Sequence, residues 1–320
     1  MDAGHDKRLP DETLSILQNV ISTCHKTVVG KTEVVEGLLV GLLSEGHILL
    51  EGVPGVAKTT LAKSFSNAIG LGFKRVQGSV DTLPADVVGT YIFDPSKSSF
   101  RLQRGPVFTN LLLIDEINRN SPKTNSAVLE AMQERQVTIS GDTMDLPRPF
   151  MIIATQSPVE FHGVFPLPEV LVDRFLLSFN VSYPSEEEEV LIAGQVGSSV
   201  TGAVERVMAK EQLLELIELT RQVYMGSHVQ SYIVGIVQRT RRVSGVSLGA
   251  SPRASIALSK AARAAALLRG RMFVTPDDVK QYAPSVLRHR LVPSAAVGAP
   301  SMDDVVGSIL KETPIPERSD

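Results

Sequence analysis

Gly52-Val53-Pro54-Gly55-Val56-Ala57-Lys58-Thr59 is the stretch of sequence that decides the fold. It nearly matches the phosphate-loop pattern of glycine, four residues, glycine, lysine and serine or threonine. Small residues let backbone N–H groups close around phosphate oxygens at the start of a helix. Lys58 is then placed to reach the β- and γ-phosphates, and the Thr59 hydroxyl to coordinate Mg²⁺. Ala57 stands where the strict pattern has glycine, and alanine tolerates a positive φ poorly.

The residues on either side of this loop supply the context that the pattern requires. His47–Leu50 predicts a short buried strand before the loop. A helical pattern follows it through Ile69 and ends at Gly70. The alternative for this segment alone is a Gly/Pro turn between a strand and a helix that carries a lysine.

A second signal is Leu111-Leu112-Leu113-Ile114-Asp115-Glu116, an aliphatic strand that ends in two carboxylates. Such a pair is costly at a buried strand end unless it meets a cation or hydrogen-bond donors at the carboxyl edge of the sheet. Asp115 is suited to hold Mg²⁺ through its water shell, and Glu116 to act as the general base for a water molecule. The alternative is a strand end with two ordinary solvated acids.

Strand and helix patterns alternate through the first half of the chain. This order predicts an α/β fold, with a parallel sheet covered by helices on both faces. The helix pattern is clearest at Thr124–Glu134. The further strand candidates are Phe73–Val76, Met151–Ala154 and Leu176–Val181.

Two segments interrupt that rhythm and predict inserted β-hairpins, Tyr91–Phe108 and Val137–Leu146. After Pro184 the chain becomes almost entirely helical. Ser185 followed by Glu188 is a capping-box signal for the first of these helices. We therefore expect an α/β domain over residues 1–183, with N-terminal helices, and a small all-helical lid domain over residues 184–320.

Composition places the chain among ordinary globular proteins. It has 320 residues, 43% of them hydrophobic, and a formal net charge of −3, which gives no global attraction to nucleic acid or to anionic membranes. Cys24 is the single cysteine, so an internal disulfide is impossible and a reducing cytoplasm fits best. The polar amino terminus lacks the apolar stretch of a signal peptide, and the apolar runs are too short for membrane insertion.

Taken together, these motifs resemble the AAA+ ATPases and, at finer grain, the MoxR family within them. The resemblance runs from about Val34 to Arg290. Its most specific pieces beyond the phosphate loop are Asp115-Glu116-Ile117-Asn118-Arg119, Leu129–Thr138, Ala154-Thr155-Gln156, Pro166-Leu167-Pro168-Glu169, Asp173-Arg174-Phe175 and Ser251-Pro252-Arg253-Ala254.

The resemblance implies ATP and Mg²⁺ as cofactors and a ring of identical chains, usually a hexamer, with ATP bound between neighbours. It implies that Thr59 and Asp115 hold the Mg²⁺. Arg174 corresponds to the arginine finger that enters the next subunit's site, and Arg253 to the lid arginine that contacts the γ-phosphate. The implied nucleotide-binding residues are Gly52, Val53, Pro54, Gly55, Val56, Ala57, Lys58, Thr59, Thr60 and Asp115.

Two of these assignments have alternatives, and a third family position departs from the usual residue. Arg174 could form a structural ion pair with Asp173 or Glu169, and Arg253 could be a helix-surface arginine. In the family the water-orienting residue after the fourth strand is commonly asparagine, whereas this chain has Ser157. Serine has a shorter reach and no amide, so this departure bears on the rate of hydrolysis.

The resemblance implies an ATP-driven, chaperone-like ATPase that remodels a partner protein, one with a von Willebrand factor A domain. It also implies that both hairpins lie on the pore or face of the ring, where clients bind. The alternatives are a nucleic-acid or chelatase-type motor subunit, and an assembly switch that binds ATP but scarcely hydrolyses it. Two basic clusters, residues 239–242 and 288–290, favour lid or subunit contacts over nucleic acid, since no stacking aromatic side chains are interleaved with them.

Overall fold

The computed structural model describes residues 9–53, 55–157, 164–194, 205–294 and 300–315. Helices come first. They are α1 (Asp11–His25), α2 (Thr32–Leu43), α3 (Lys58–Ala68), α4 (Pro84–Val88), α5 (Pro122–Glu134), α6 (Glu169–Val172), α7 (Glu186–Gly194), α8 (Lys210–Gln222), α9 (Ser227–Arg239), α10 (Pro252–Leu268), α11 (Pro276–Leu287) and α12 (Met302–Glu312).

The strands follow the same chain order. They are β1 (His47–Glu51), β2 (Phe73–Gln77), β3 (Gly89–Asp94), β4 (Ser99–Arg104), β5 (Leu111–Asp115), β6 (Gln136–Ile139), β7 (Asp142–Asp145), β8 (Met151–Gln156), β9 (Phe175–Asn180), β10 (Val246–Leu248) and β11 (Val292–Pro293). None of the helices within the described ranges is both long enough and apolar enough to cross a bilayer.

Five strands form one parallel sheet in the order β2-β5-β8-β1-β9, which confirms the predicted α/β class. The central strands of the sheet are continuous hydrophobic runs because helices cover both of their faces. Residues 111–114 and 151–155 are accordingly all buried. Because the strands are parallel, their carboxyl ends meet at one edge. Glu51, Asp115 and Gln156 therefore lie side by side there.

Helices cover both faces of this sheet, as expected. On one face α2 lies very close to the strands, because a Cβ atom at Gly37 would lie 2.1 Å from the Phe179 ring of β9. On the other face Val128 and Ala131 of α5 pack in the same buried cluster as Leu112 of β5. The two layers together bury most of β5, β8, β1 and β9, whereas the edge strand β2 stays largely exposed.

Both predicted hairpins are present. β3 pairs with β4 and β6 with β7, each antiparallel. The Tyr91 hydroxyl on β3 donates to Asp142 Oδ2 on β7 at 2.6 Å, so the two hairpins are joined. Phe93 and Phe100 form an edge-to-face pair on the first hairpin, with 54% and 69% of their surface exposed. The first hairpin therefore presents an aromatic surface to solvent.

The C-terminal part of the chain is helical, with one difference from the expected all-helical lid. β10 and β11 form a short antiparallel pair. The predicted capping box is confirmed, because Ser185 N–H donates to Glu188 Oε2 at 2.9 Å and Glu188 N–H donates to Ser185 Oγ at 3.2 Å. Lid packing is anchored by Asp278, a fully buried carboxylate that forms ion pairs with Arg269 and Arg271 at 2.6 Å each.

His47, at the start of β1, makes the fold sensitive to acid. Its Nε2 donates to Met132 O at 3.1 Å and its Nδ1 accepts from Ile152 N–H at 3.0 Å, which requires the neutral ring. Burial lowers the pKa of His47 from 6.5 to about 4. Because the pKa of His47 is lower in the folded than in the unfolded state, the free energy of unfolding is fully present above the unfolded-state pKa. It decreases as the pH falls below that pKa.

We expect the free energy of unfolding to decrease between about pH 6.5 and pH 4, with His47 contributing up to about 3 kcal/mol. Urea denaturation at several pH values measures this. His47→Gln should flatten the pH dependence, whereas His25→Gln, at the half-exposed end of α1, should leave it unchanged. An identical slope in wild type and His47→Gln would contradict the assignment.

Candidate functional site

The predicted phosphate loop connects the carboxyl end of β1 to the first turn of α3. Ala57 adopts the left-handed conformation, with φ 59° and ψ 21°, at the N-cap of α3. The strain that the sequence predicted there is real, and costs about 1 kcal/mol relative to glycine. Gly52 is required for a different reason, since a Cβ atom there would lie 2.2 Å from Val181 O. Pro54, which the resemblance places in the loop, lies outside the described residues.

Lys58 extends back over this loop. Its Nζ donates to Gly52 O at 2.6 Å and lies 3.4 Å from Val53 O. Burial lowers the pKa of Lys58, while the charges of Asp115 and Glu116 oppose that shift. The ammonium group is therefore held where an anion in the loop would meet it.

Backbone donors surround the same point. No side chain caps α3, and the first N–H groups of a helix lack partners within it. Residues 58–60 thus direct their N–H groups toward the loop, where anions are favoured. The expected binding residues that the structure describes follow one another along this connection: Gly52, Val53, Gly55, Val56, Ala57, Lys58, Thr59 and Thr60.

Asp115 and Thr59, predicted as the metal pair, are in contact. Thr59 Oγ1 donates to Asp115 Oδ2 at 3.0 Å, and Thr155 Oγ1 donates to Asp115 Oδ1 at 2.6 Å. Burial disfavours ionisation of Asp115, but hydrogen bonds from Thr155, Arg75 and Thr59 outweigh it and hold the pKa of this carboxyl below its ordinary value. Two hard oxygen ligands beside Lys58 fit an Mg²⁺ ion held together with phosphate.

Glu116 lies next to this pair in a strained backbone conformation, with φ 57°. Its N–H donates to Thr155 Oγ1 at 2.9 Å, so Thr155 binds both acidic residues. Its carboxylate Oε2 accepts from Gln77 Nε2 at 3.1 Å and pairs with Arg119 Nε at 3.0 Å. The carboxylate is therefore oriented by β2 on one side and by the turn after β5 on the other.

Sequence reasoning missed Arg75 and Gln77. Both lie on β2, in register with Leu113 and Asp115 of β5. Arg75 Nη2 and Nε donate to Asp115 Oδ2 at 2.8 Å and 3.2 Å. The available signal was the alternation Arg75-Val76-Gln77 at the end of a predicted strand, which puts two polar side chains on one face of the edge that bears the phosphate loop.

Replacing Arg75 by alanine is expected to lower the Mg²⁺ concentration needed for half-maximal nucleotide binding by about three- to tenfold. Its guanidinium occupies the same Asp115 oxygen that a metal would use. The side chain is 46% exposed, so the ion pair is worth only about 1 kcal/mol. Fluorescence titration of a nucleotide analogue against Mg²⁺ measures the change. Arg101→Ala, on the exposed β4, is the control, and an unchanged or higher requirement in Arg75→Ala would contradict the prediction.

Ser157 lies just after β8, at the carboxyl edge of the sheet between the phosphate loop and Asp115. It is 7% exposed, and its Oγ has no hydrogen-bond partner among the described residues. Its carbonyl oxygen accepts a long bond, 3.5 Å, from Asn118 Nδ2. The structure thus places Ser157 at the predicted edge with its hydroxyl uncommitted.

Arg174 and Arg253 lie at the opposite edge of the sheet. Arg253 Nη1 pairs with Asp173 Oδ2 at 3.2 Å, and Asp173 Oδ1 pairs with Arg290 Nε at 3.0 Å. Arg174 follows Asp173 and precedes β9, whose first residue pairs with His47 at the start of β1. Four residue steps along β1 separate this edge from the phosphate loop, about 13 Å.

The structure therefore does not bring Arg253 to the phosphate loop of its own chain, although the resemblance implied contact with a γ-phosphate. Within the described ranges Arg174 forms no ion pair with Asp173 or Glu169, the predicted alternative, and Asp173 pairs instead with Arg253 and Arg290. Burial, and secondarily the charge of Arg253, lower the pKa of Arg174. The Nε of Arg174 has no hydrogen-bond partner within the described part of the chain. Arg174 and Arg253 thus lie near each other, away from the phosphate loop of their own chain.

Of the two basic clusters of the lid, residues 288–290 point largely inward, whereas Arg239, Arg241 and Arg242 are exposed. Arg290 is buried and donates to Phe175 O at 2.6 Å as well as to Asp173. Arg288 pairs with Asp303 at 3.1 Å. These contacts fix the lid to the start of β9, and so position Arg253 beside Arg174.

Comparison with known proteins agrees with this geometry. Residues 47–177 match the family described as "ATPase family associated with various cellular activities (AAA)", and residues 238–309 match the AAA lid domain. A crystal structure of a Cytophaga hutchinsonii protein superposes with a TM-score of 0.89 at 36% identity, covering 96% of each chain.

Two proteins that are similar in sequence carry the name MoxR. The Mycobacterium tuberculosis protein named Chaperone MoxR1 is 43% identical over 312 residues, covering 94% of this chain and 82% of that protein. Protein MoxR of Methylorubrum extorquens is 29% identical over 83% of this chain and 84% of that protein. A parallel sheet with a phosphate loop, an acidic strand end and a helical lid, shared over nearly the whole length with these relatives, shows that the chain belongs to the MoxR family of AAA+ ATPases.

Proposed function

We propose that this protein hydrolyses ATP with Mg²⁺, as a ring of identical chains, and uses the energy to remodel a partner protein. The observation that carries the proposal is the 3.0 Å contact between Thr59 and Asp115, with Lys58 and Glu116 beside it. A hydroxyl, a carboxylate, a cation and a second carboxylate at one sheet edge are the groups that phosphoryl transfer to water needs.

Each residue of this edge has a defined task in the proposed reaction. Residues 52–60 and Asp115 hold the nucleotide, with Lys58 against its β- and γ-phosphates. Thr59 and Asp115 hold the Mg²⁺, which when bound neutralises charge on the phosphates. Glu116, kept in place by Gln77 and Thr155, accepts the proton of the attacking water.

The position of the two arginines supports the proposed ring. Because Arg174 and Arg253 lie at the edge opposite to the phosphate loop, we propose that both act on the nucleotide of a neighbouring chain. A permanent cation with fork geometry stabilises the charge that builds up in phosphoryl transfer. A heterologous contact of this kind forms a ring when its rotation closes, and we propose that it closes as a hexamer.

The proposed client is a protein that carries a von Willebrand factor A domain. Support for a protein client comes from the relative named a chaperone and from the exposed pair Phe93 and Phe100 on the first hairpin. We propose that this hairpin and the second one lie on the ring's pore or face. The alternative, a nucleic-acid motor, has less support, because residues 288–290 are held by contacts within the chain and no stacking aromatic side chains are interleaved with the exposed arginines of residues 239–242.

We place the boundary between the α/β domain and the lid at residues 183 and 184, where the sheet has ended and α7 is about to begin. We also propose a cytoplasmic location. It is supported by the single cysteine, Cys24, which is buried and free.

A second candidate function is an assembly switch that binds ATP and scarcely hydrolyses it. The uncommitted hydroxyl of Ser157, in place of an amide, favours this alternative. A dilution series separates the two functions. The ring ATPase predicts a turnover per chain that rises steeply with protein concentration, whereas the switch predicts near-zero turnover at every concentration despite ATP binding.

A further inference from the structure

A second cleft, far from the phosphate loop, lies where the α/β core meets the lid. We name it the core–lid cleft. Its volume is about 500 Å³, within the range of small-molecule sites. The core contributes the end of α2 and Arg135, and the lid contributes α8, α9 and α10. The residues that the argument uses are Glu45, Arg135, Arg221, Val234, Ile256, Lys260 and Arg263.

Positive charge is concentrated around this cleft. Arg135 and Arg148 pair with Glu45 Oε1 at 2.9 Å and 3.0 Å, and Arg221 pairs with Glu45 Oε2. Arg148 and Arg221 also pair with Glu218. Adding Lys260 and Arg263 gives five cations and two carboxylates, so the local charge is +3 in a chain whose net charge is −3.

The two cations on α10 are not neutralised by this network. Within the described ranges, neither Lys260 nor Arg263 has a carboxylate within ion-pair distance. Arg263 Nη1 donates to Arg221 O at 2.9 Å, and its buried Nε has no partner among the described residues. The residues lie three positions apart on α10, so both side chains face the cleft together. They form a ready-made site for an anionic group.

An apolar wall adjoins the cations. Ile256 precedes Lys260 by one helical turn, and Val234 of α9 lies across from it. These side chains are 60% and 42% exposed, an arrangement that leaves aliphatic surface in contact with water beside two cations. A ligand that covers this surface and neutralises the charge would gain from both.

We infer that the core–lid cleft binds a small amphipathic anion. Its carboxylate or phosphate head lies against Lys260 and Arg263, and its short aliphatic body lies on Ile256 and Val234. Because the walls come from both core and lid, the bound anion bridges the two. The site is separate from the nucleotide site, since Glu45 precedes β1 whereas the phosphate loop follows it.

Isothermal titration of the full chain with octanoate, octyl phosphate, octanamide and acetate tests this inference. We expect saturable binding of octanoate or octyl phosphate, the tighter of the two identifying the preferred head group. Octanamide and acetate, which lack the charge and the aliphatic body respectively, should each bind at least about tenfold more weakly.

Variants locate the binding. Lys260→Gln combined with Arg263→Gln should weaken octanoate and octyl phosphate binding at least about tenfold, and Ile256→Ser should weaken it as well. Arg242→Gln, which removes an exposed lid cation outside the cleft, should have no effect. If the double variant does not fold, Ile256→Ser alone decides the matter, because that side chain is mostly exposed. Absence of saturable binding, equal binding of octanamide, or unchanged binding in the cleft variants would overturn the inference.

Discussion

Replacing Glu116 by glutamine is expected to lower ATP turnover by about 100-fold or more, while ATP binding is retained. Glutamine keeps the size of the side chain and its contact with Gln77, but cannot accept the proton of the attacking water. Loss of a general base costs about 10²–10⁴ in rate. Phosphate release measures the turnover, and binding of a fluorescent ATP analogue measures the affinity.

A matched control for this change is Glu211→Gln, which alters an exposed carboxylate in the first turn of α8. Its turnover should equal that of the wild type. Equal, near-zero rates of ATP turnover in wild type and Glu116→Gln would contradict the proposed ATPase activity and favour the assembly switch. The same variant, with ATP present, is expected to hold the proposed client in a stalled complex, and so is the form to use for recovering the partner protein.

Removing the Arg174 guanidinium by an alanine substitution is expected to lower turnover by about 10³-fold, the effect seen when an arginine finger is lost. The phosphate loop of the same chain should still bind ATP, because Arg174 lies at the other edge of the sheet. Arg253→Ala should act in the same direction, although it also removes one of the two ion pairs of Asp173. Arg242→Ala controls for the removal of an exposed arginine. A variant of Arg174 that keeps full turnover would remove it from the reaction.

The parallel sheet could be predicted because its strands are short aliphatic runs between helices, as at Leu111–Ile114. The phosphate loop and the acidic strand end could be predicted because each is local. All the residues of each motif lie in one continuous segment of at most eight residues. Arg75 could not, because its contact with Asp115 depends on the pairing of β2 with β5 across 40 residues of sequence. β10 and β11 were missed for a similar reason, since strands of three and two residues show no alternation.

The position of Arg253 depends on tertiary contacts as well. Its motif is recognisable in the sequence. Its place at this edge of the sheet, however, depends on the pairing of Arg290 with Asp173 and on His289, whose Nε2 lies 2.9 Å from Phe175 O. No spacing in the sequence encodes these contacts. They place Arg253 away from the phosphate loop of its own chain, which is why we propose that it contacts the phosphate of a neighbouring chain.

The central claim is that each catalytic site is shared between two chains. Mixing two inactive variants, Glu116→Gln and Arg174→Ala, tests it most directly. In a mixed ring, an Arg174→Ala chain supplies an intact Glu116 while its Glu116→Gln neighbour supplies Arg174. Random assembly restores both groups at about a quarter of the interfaces. We predict that an equimolar mixture recovers ATP turnover far above either variant alone, and turnover no higher than that of the separate variants would contradict the shared site.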